Sequence, residues 1–279
     1  DGSRINAVVP PVAVGGPILS IRRFGREALS VEDMLEFGSM TEPIARFLRA
    51  AVAGRASMLI SGGTGSGKTT LLGALSGSIA ARERVVVIEE TSELHLKNRH
   101  SARMEARPAN VEGQGQVTLR DLVRNALRMR PDRIVVGEVR GPEAFDMLQA
   151  MNTGHEGSLT TIHANDAYDA LLRLEMMVAL TGLELPLTVV RQYITMAIRL
   201  VVHLSRLPGG ARKISRVSEL VGLKDGMYEL RDLFVFESQG VDEHGNVVGQ
   251  FHTSGYRPQL LDRLHRAGVD VDPRIFDAI

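Results

Sequence analysis

Apolar positions in the chain follow two periods. Ile44, Phe47, Leu48 and Ala51 fall on one face of a helix predicted over 42–53. Leu119, Leu122, Val123, Ala126 and Leu127 recur at i, i+3, i+4, i+7 and i+8, which predicts an amphipathic helix over 118–129. Thr118 and Asp121 are spaced to cap it reciprocally, and Ser30 with Asp33 gives the same signal for a helix over 31–37. Elsewhere the apolar residues form short continuous runs, at 57–61, 85–89, 133–138 and 157–163. Such runs are strands buried on both faces. Helices predicted over 68–81, 143–152 and 166–180, with the one over 118–129, alternate with them, so the fold class is α/β with a mostly parallel sheet.

The ends of the chain read differently. Strands are expected at 4–9 and 18–24, separated by Pro10, Pro11, Gly15, Gly16 and Pro17. Pro186 opens a helix running to about 199. Strands follow near 200–205, 213–222 and 227–236, then a β-hairpin over 235–253 and a small helix over 258–267. The expected division is 1–28 as part of a smaller N-terminal α+β domain, 29–56 as linker and leading helices, and 57–279 as the main domain. The first residue is Asp1 and not Met, from which a longer parent chain is expected.

Composition narrows the chemistry. With 33 Lys+Arg against 33 Asp+Glu the net charge is zero, which argues against coating nucleic acid by bulk charge. The absence of Cys excludes disulfides, thiolate zinc sites and thiol catalysis. No apolar run approaches the ~20 residues that span a bilayer, and a cytoplasmic protein is expected.

Gly62-Gly63-Thr64-Gly65-Ser66-Gly67-Lys68-Thr69 fits G-x-x-x-x-G-K-[ST] between an apolar strand and a helix. Glycines let backbone N–H groups turn inward around phosphate oxygens, and the helix start adds unsatisfied N–H groups. Lys68 would reach the β- and γ-phosphates, and Thr69 would hold Mg²⁺. Glu89, Glu90 and Glu138 stand at the C-terminal ends of predicted parallel strands, where ligands bind. Any one of them could instead cap a helix or face water. His155 and His163 flank the strand over 157–163. Either could meet a γ-phosphate or a neighbouring subunit, or be a satisfied structural histidine. From Lys97 to Arg133 there are nine Lys/Arg and four Asp/Glu. Most of these basic residues are expected to be solvated or structural, and one to three phosphate-directed. A nucleic-acid groove ranks last, because the segment lacks aromatic residues.

Four segments in order carry a resemblance: 62–69, Val87-Ile88-Glu89-Glu90-Thr91, 130–140 and 154–165. The chain resembles the secretion-superfamily hexameric ATPases that power type II secretion, type IV pili and type IV secretion. Residues 1–11, 19–24, 107–115, 232–236 and 255–258 are most similar to the CpaF/TadA branch, which drives Tad/Flp pilus assembly. One departure is Glu89-Glu90 where that family usually has Glu-Asp.

The resemblance implies a RecA-like P-loop ATPase domain with a partial N-terminal α+β domain, using ATP and Mg²⁺. Gly63, Thr64, Gly65, Ser66, Gly67, Lys68, Thr69 and Thr70 would bind nucleotide, with Thr69 and Glu138 at the metal. Glu138 would act as the Walker B carboxylate, and Glu89 or Glu90 would polarise water. His163 would report the γ-phosphate, coupled to His155. Arg4, Arg22, Arg23, Arg107 and Arg128 are arginine-finger candidates. Implied partners are identical copies in a homohexameric ring and an inner-membrane platform protein, with no stable nucleic-acid partner. A DNA-linked conjugation or helicase-like motor and a slow nucleotide-gated binding module are the rival readings.

Overall fold

The computed structural model describes residues 3–23, 28–96 and 98–277. Asp1, Phe24 and Lys97 lie outside them. β1 (Arg4–Val8) and β2 (Ile18–Arg22) pair antiparallel, Arg4 opposite Arg22, as a two-stranded sheet. α1 (Val31–Glu36) and α2 (Glu42–Ala53) follow. The Ser30–Asp33 capping box forms as its spacing predicts.

Among the described residues, nine strands then build one sheet. They are β3 (Met58–Gly62), β4 (Val85–Glu89), β5 (Ser101–Glu105), β6 (Arg133–Val139) and β7 (Leu159–His163), then β8 (Leu200–Arg206), β9 (Arg212–Lys224), β10 (Met227–Val241) and β11 (Val247–Thr253). The order is β11-β10-β9-β8-β3-β7-β6-β4-β5. Neighbours from β8 to β5 are parallel, and β8 to β11 are antiparallel. The helices are α3 (Lys68–Ser76), α4 (Leu119–Ala126), α5 (Glu143–Asn152), α6 (Ala167–Ala179), α7 (Leu187–Ala197) and α8 (Leu260–Arg266).

Strand alternation sorts the core into two layers. Val85 and Val87 pack with Leu71, Leu72, Phe47 and Leu48 on the face covered by α2 and α3. Val86 and Ile88 pack with residues of α4, α5, α6 and α7 on the other. Phe47 and Leu48 are fully buried, so α2 is built into the same core as the sheet.

Three elements differ from expectation. β5 lies inside the segment read as a basic face. Ser101-Ala102-Arg103-Met104-Glu105 has no apolar run because it is an edge strand, and only Ala102 and Met104 pack inward. α3 ends at Ser76, short of 81, and Gly77 caps it. A 3-10 turn at Pro273–Phe276 sets Phe276 edge-on against Phe47, with ring centroids 5.2 Å apart.

Arg133 is the largest fully buried side chain of the core. Its Nε and Nη2 donate to Glu83 at 2.7 and 2.9 Å, and Nη1 donates to the Val52 carbonyl at 2.6 Å. The accessible surface is 14880 Å². A compact body of this mass exposes about 12,000 Å². Part of the excess lies on the β1–β2 hairpin, where Ile5, Ile18, Leu19 and Ile21 are exposed.

Candidate nucleotide-binding site

The loop over 62–67 leaves β3 and enters α3 in the backbone geometry a phosphate cradle needs. Gly67 caps α3 in the left-handed region at φ 99°. A Cβ on Gly62 would stand 2.4 Å from the Leu204 carbonyl oxygen and 2.5 Å from Ser66 Oγ, so only glycine fits there. Ser66 Oγ is buried and makes no hydrogen bond within the chain. Lys68 Nζ donates to the carbonyls of Gly62 and Gly63, both at 3.0 Å. Burial pushes the Lys68 ammonium below its ordinary pKa, and the charge of Glu138 opposes that shift. From the β8–β9 hairpin, Arg212 Nε donates to the Gly65 carbonyl at 2.8 Å.

This loop, with Thr64, Thr69 and Thr70, forms one wall of a cleft of about 760 Å³. Glu89, Glu90, Glu138, Arg140 and His163 also line it, and Arg4, Arg22 and Arg23 enter from the β1–β2 hairpin. Strict alternation along β6 would turn Glu138 away from the cleft. Val136 pairs with Thr160 and Val139 with Ile162, so β6 carries one extra residue between them. Val136 and Val139 consequently face the same layer. The bulge re-aims Glu138 to the phosphate-loop side. Thr161 Oγ1 holds the bulge by donating to the Gly137 carbonyl at 2.6 Å.

The two adjacent glutamates part company here. Glu89 is buried, and its Oε1 accepts from the backbone N–H of Glu93 and Leu94 at 3.0 and 2.9 Å. Burial pushes its carboxyl above the ordinary range, against those hydrogen bonds. Glu90 is exposed, and its Oε2 accepts from Arg140 Nη1 at 2.8 Å. Arg140 Nη2 donates to Glu138 Oε2 at 2.7 Å. On the hairpin side, Arg4 bonds Thr91 Oγ1 and Arg22 pairs with Glu93 at 3.4 Å.

Three sequence candidates are not brought to this cleft within one chain. His155 sits at the opposite end of β7, with Nδ1 3.3 Å from the Ala150 carbonyl. Arg107 Nε donates to the Gly115 carbonyl at 2.6 Å, in the loop leading to α4. Arg128 is exposed just past the end of α4. Most of the basic segment is structural: Arg120 and Arg124 both grip buried Asp146, at 2.7 and 2.8 Å. Arg140, Arg212 and Thr161 were not legible as site residues. The one sequence signal for Arg140 is its place two residues after Glu138.

Among the described residues no three His, Cys, Asp or Glu side chains gather as a metal cluster. The donor set suits a nucleotide-bound divalent cation instead, with the Thr69 hydroxyl and Glu138 carboxylate across one cleft. The unpartnered Ser66 hydroxyl and the left-handed glycine backbone fit an anionic phosphate chain.

A parallel sheet with a phosphate loop at the C-terminal end of a central strand defines a RecA-like α/β nucleotide-binding fold. The family model described as Type II/IV secretion system protein matches residues 1–229, and the chain belongs to that family. It is 42% identical over 217 residues to a putative conjugal transfer protein of Mycobacterium tuberculosis, covering 78% of this chain and 61% of that protein's length. To the type IV secretion system protein PtlH of Bordetella pertussis it is 38% identical over 239 residues, covering 76% of this chain and 70% of that one. The VirB11 ATPase from the Brucella suis type IV secretion system, solved with sulphate, superposes with a TM-score of 0.56 at 31% identity, over 77% of this chain and 72% of that one. The pilus retraction motor PilT with bound ADP shares the fold at a TM-score of 0.52 and 20% identity, over 83% of this chain and 64% of that one.

Proposed function

We propose that the chain binds ATP in this cleft and hydrolyses it by in-line attack of water. One observation carries the reading: the cradle of Lys68 and Ser66 faces a carboxylate, Glu138, that a bulge has turned into the same cleft. Backbone N–H groups of 63–68 and Lys68 grip phosphate oxygens. Glu138 orients the attacking water, with Glu90 beside it, while Glu89 fixes the 89–94 segment from within. His163 reads the γ-phosphate from the end of β7. Thr69 and Glu138 are the residues that would hold Mg²⁺, which neutralises charge on the β- and γ-oxygens when bound.

The work done is conformational. Arg4 and Arg22 tie the N-terminal hairpin to the cleft, which Arg23 also lines, so closing around nucleotide would move one against the other. Arg107, Arg128 and His155, turned away from this chain's own cleft, would serve a neighbouring copy in a homohexameric ring. Among the described residues no helix is long and apolar enough to cross a membrane. The ring is proposed to dock on an inner-membrane platform protein from the cytoplasmic side, powering a type II/IV secretion machine and, more finely, a Tad/Flp pilus. Similarity to conjugal transfer proteins favours one second reading, a conjugation-linked motor. Stimulation by single-stranded DNA that weakens steeply with salt would select it.

ATPase assays on the wild-type chain and Lys68→Ala test the reading. Loss of the charge and its hydrogen bonds is expected to abolish turnover and weaken ATP binding. Near-normal kcat in the variant overturns the assignment.

A further inference from the structure

Arg140 spans two strands. Its Nη2 bonds Glu138 on β6 and its Nη1 bonds Glu90 just past β4, both by Oε2, at 2.7 and 2.8 Å. Those strands are neighbours in the sheet, so one planar fork closes the gap between two of the carboxylates that line the cleft. The backbone carrying this fork is itself pinned. The N–H groups of Arg140 and Gly141 donate to Glu143 Oε1 at 2.7 and 2.9 Å, and Glu143 is buried at the start of α5. On the other side of Glu138, Thr161 holds the Gly137 carbonyl. Glu138 therefore stands between two fixed points.

The side chains of Glu138 and Glu90 are 25% and 55% exposed. Glutamates this open lose considerable rotamer freedom when held in a single geometry. A guanidinium supplies two in-plane hydrogen bonds from one pre-organised group, which an ammonium cannot do. Lys68 lines the same cleft but bonds the carbonyls of the phosphate loop, whereas Arg140 bonds the two carboxylates.

We propose that Arg140 is the positioning residue of this site. It holds Glu138 and Glu90 as one rigid carboxylate pair and fixes which oxygen of Glu138 is turned to the nucleotide. It acts through those carboxylates and not on the phosphates. This rests on the ATPase reading above.

The test compares Arg140→Gln, Arg140→Lys and Glu90→Gln, singly and with Arg140→Gln and Glu90→Gln combined. The readouts are kcat, affinity for a fluorescent mant-ATP probe, and thermal unfolding. Misplacing a reacting group by about 1 Å costs about 100-fold. Arg140→Gln is therefore expected to lower kcat by roughly 10- to 100-fold while mant-ATP affinity stays within about threefold. Because Arg140 and Glu90 are more than half exposed, Tm is expected to fall by no more than about 3 °C. Arg140→Lys keeps the charge without the fork and is expected to recover only part of the rate. Residues acting through one contact are non-additive. The double variant is thus expected to be no slower than Arg140→Gln alone.

An unchanged kcat in Arg140→Gln beside an active wild type overturns the role of Arg140 and leaves the ATPase reading standing. A tenfold loss of mant-ATP affinity overturns it by making Arg140 a phosphate contact. Fully additive losses in the double variant overturn the tether. A wild-type chain that binds mant-ATP without turnover overturns the hydrolysis reading, and the role of Arg140 with it.

Discussion

Gly62 and His163 are register partners on the neighbouring parallel strands β3 and β7. The first residue of the phosphate loop and the histidine at the end of β7 therefore lie side by side, joined by the sheet's own hydrogen bonds. A shift of the loop on nucleotide binding is expected to reach His163 through backbone, without an intervening side chain. His163→Ala is expected to lower kcat by roughly 10- to 100-fold and to leave mant-ATP affinity nearly unchanged. Parallel loss of binding would show that His163 supports the loop and does not read the phosphate.

Glu138→Gln keeps the shape of the side chain and removes its charge. ATP is expected to bind as before while phosphate release slows by about 10²-fold or more. A collapse of affinity together with rate makes Glu138 a structural residue. Isothermal titration beside a phosphate-release assay separates the two.

Buried Arg133 and Glu83 give a stability prediction independent of activity. Arg133→Met leaves Glu83 without its main partner, which is expected to cost about 3–5 kcal/mol in urea unfolding. Replacing both residues by apolar ones of similar volume is expected to recover most of that loss. A single variant within 1 kcal/mol of wild type would show that the pair contributes little.

The same pair sets an acid limit. Burial pushes the Glu83 carboxyl up, but the hydrogen bonds and charge of Arg133, together with the Arg55 charge and a backbone hydrogen bond at Ala80, outweigh it and hold the pKa below the ordinary 4.5. A carboxylate depressed in the folded state adds stability that is complete above its unfolded pKa and is lost as pH falls through the folded value. Unfolding free energy is thus expected to decline below about pH 4.5 in wild type. The Arg133→Met/Glu83→Leu variant is expected to decline less over that window. Equal slopes in the two proteins would remove Glu83 from the account.

Assembly can be read from mixing. Glu138→Gln and the double change Arg22→Ala/Arg23→Ala are each expected to be inactive alone. If the hairpin arginines act across a subunit boundary, mixed rings contain some interfaces with every part intact, and part of the activity returns. Mixed oligomers confirmed by sedimentation but without recovered activity place those arginines on their own subunit's cleft.

Most of the sheet was legible from local pattern. Runs such as Val85-Val86-Val87-Ile88 are apolar at every position because both faces of the strand are covered, and helices between them require parallel crossovers. The phosphate loop was also legible from local pattern: its glycines act through backbone, and the Lys68 side chain reaches only the loop carbonyls of Gly62 and Gly63 just before it. β5 was not, since an edge strand needs only alternate residues inside. For Arg133 the sequence leaves solvated and structural roles both open, and only the closing of β6 against Glu83 and the Val52 carbonyl buries it.

The carboxylate side of the cleft was decided by tertiary structure. Counting outward from Val136, period-2 alternation turns Glu138 to the face covered by α4, α5, α6 and α7. One extra residue against β7 reverses this, and a one-residue slip always sends a strand's side chains to the opposite face. The choice between Glu89 and Glu90 has the same origin. They are neighbours in sequence, yet one bonds the backbone at 93–94 and the other shares Arg140 with Glu138. Sequence by itself determined the fold class and the phosphate-loop motif, because both rest on residues within a few positions of each other. The aim of the carboxylates depends on register between strands far apart in the chain, and only packing of the whole sheet sets that register.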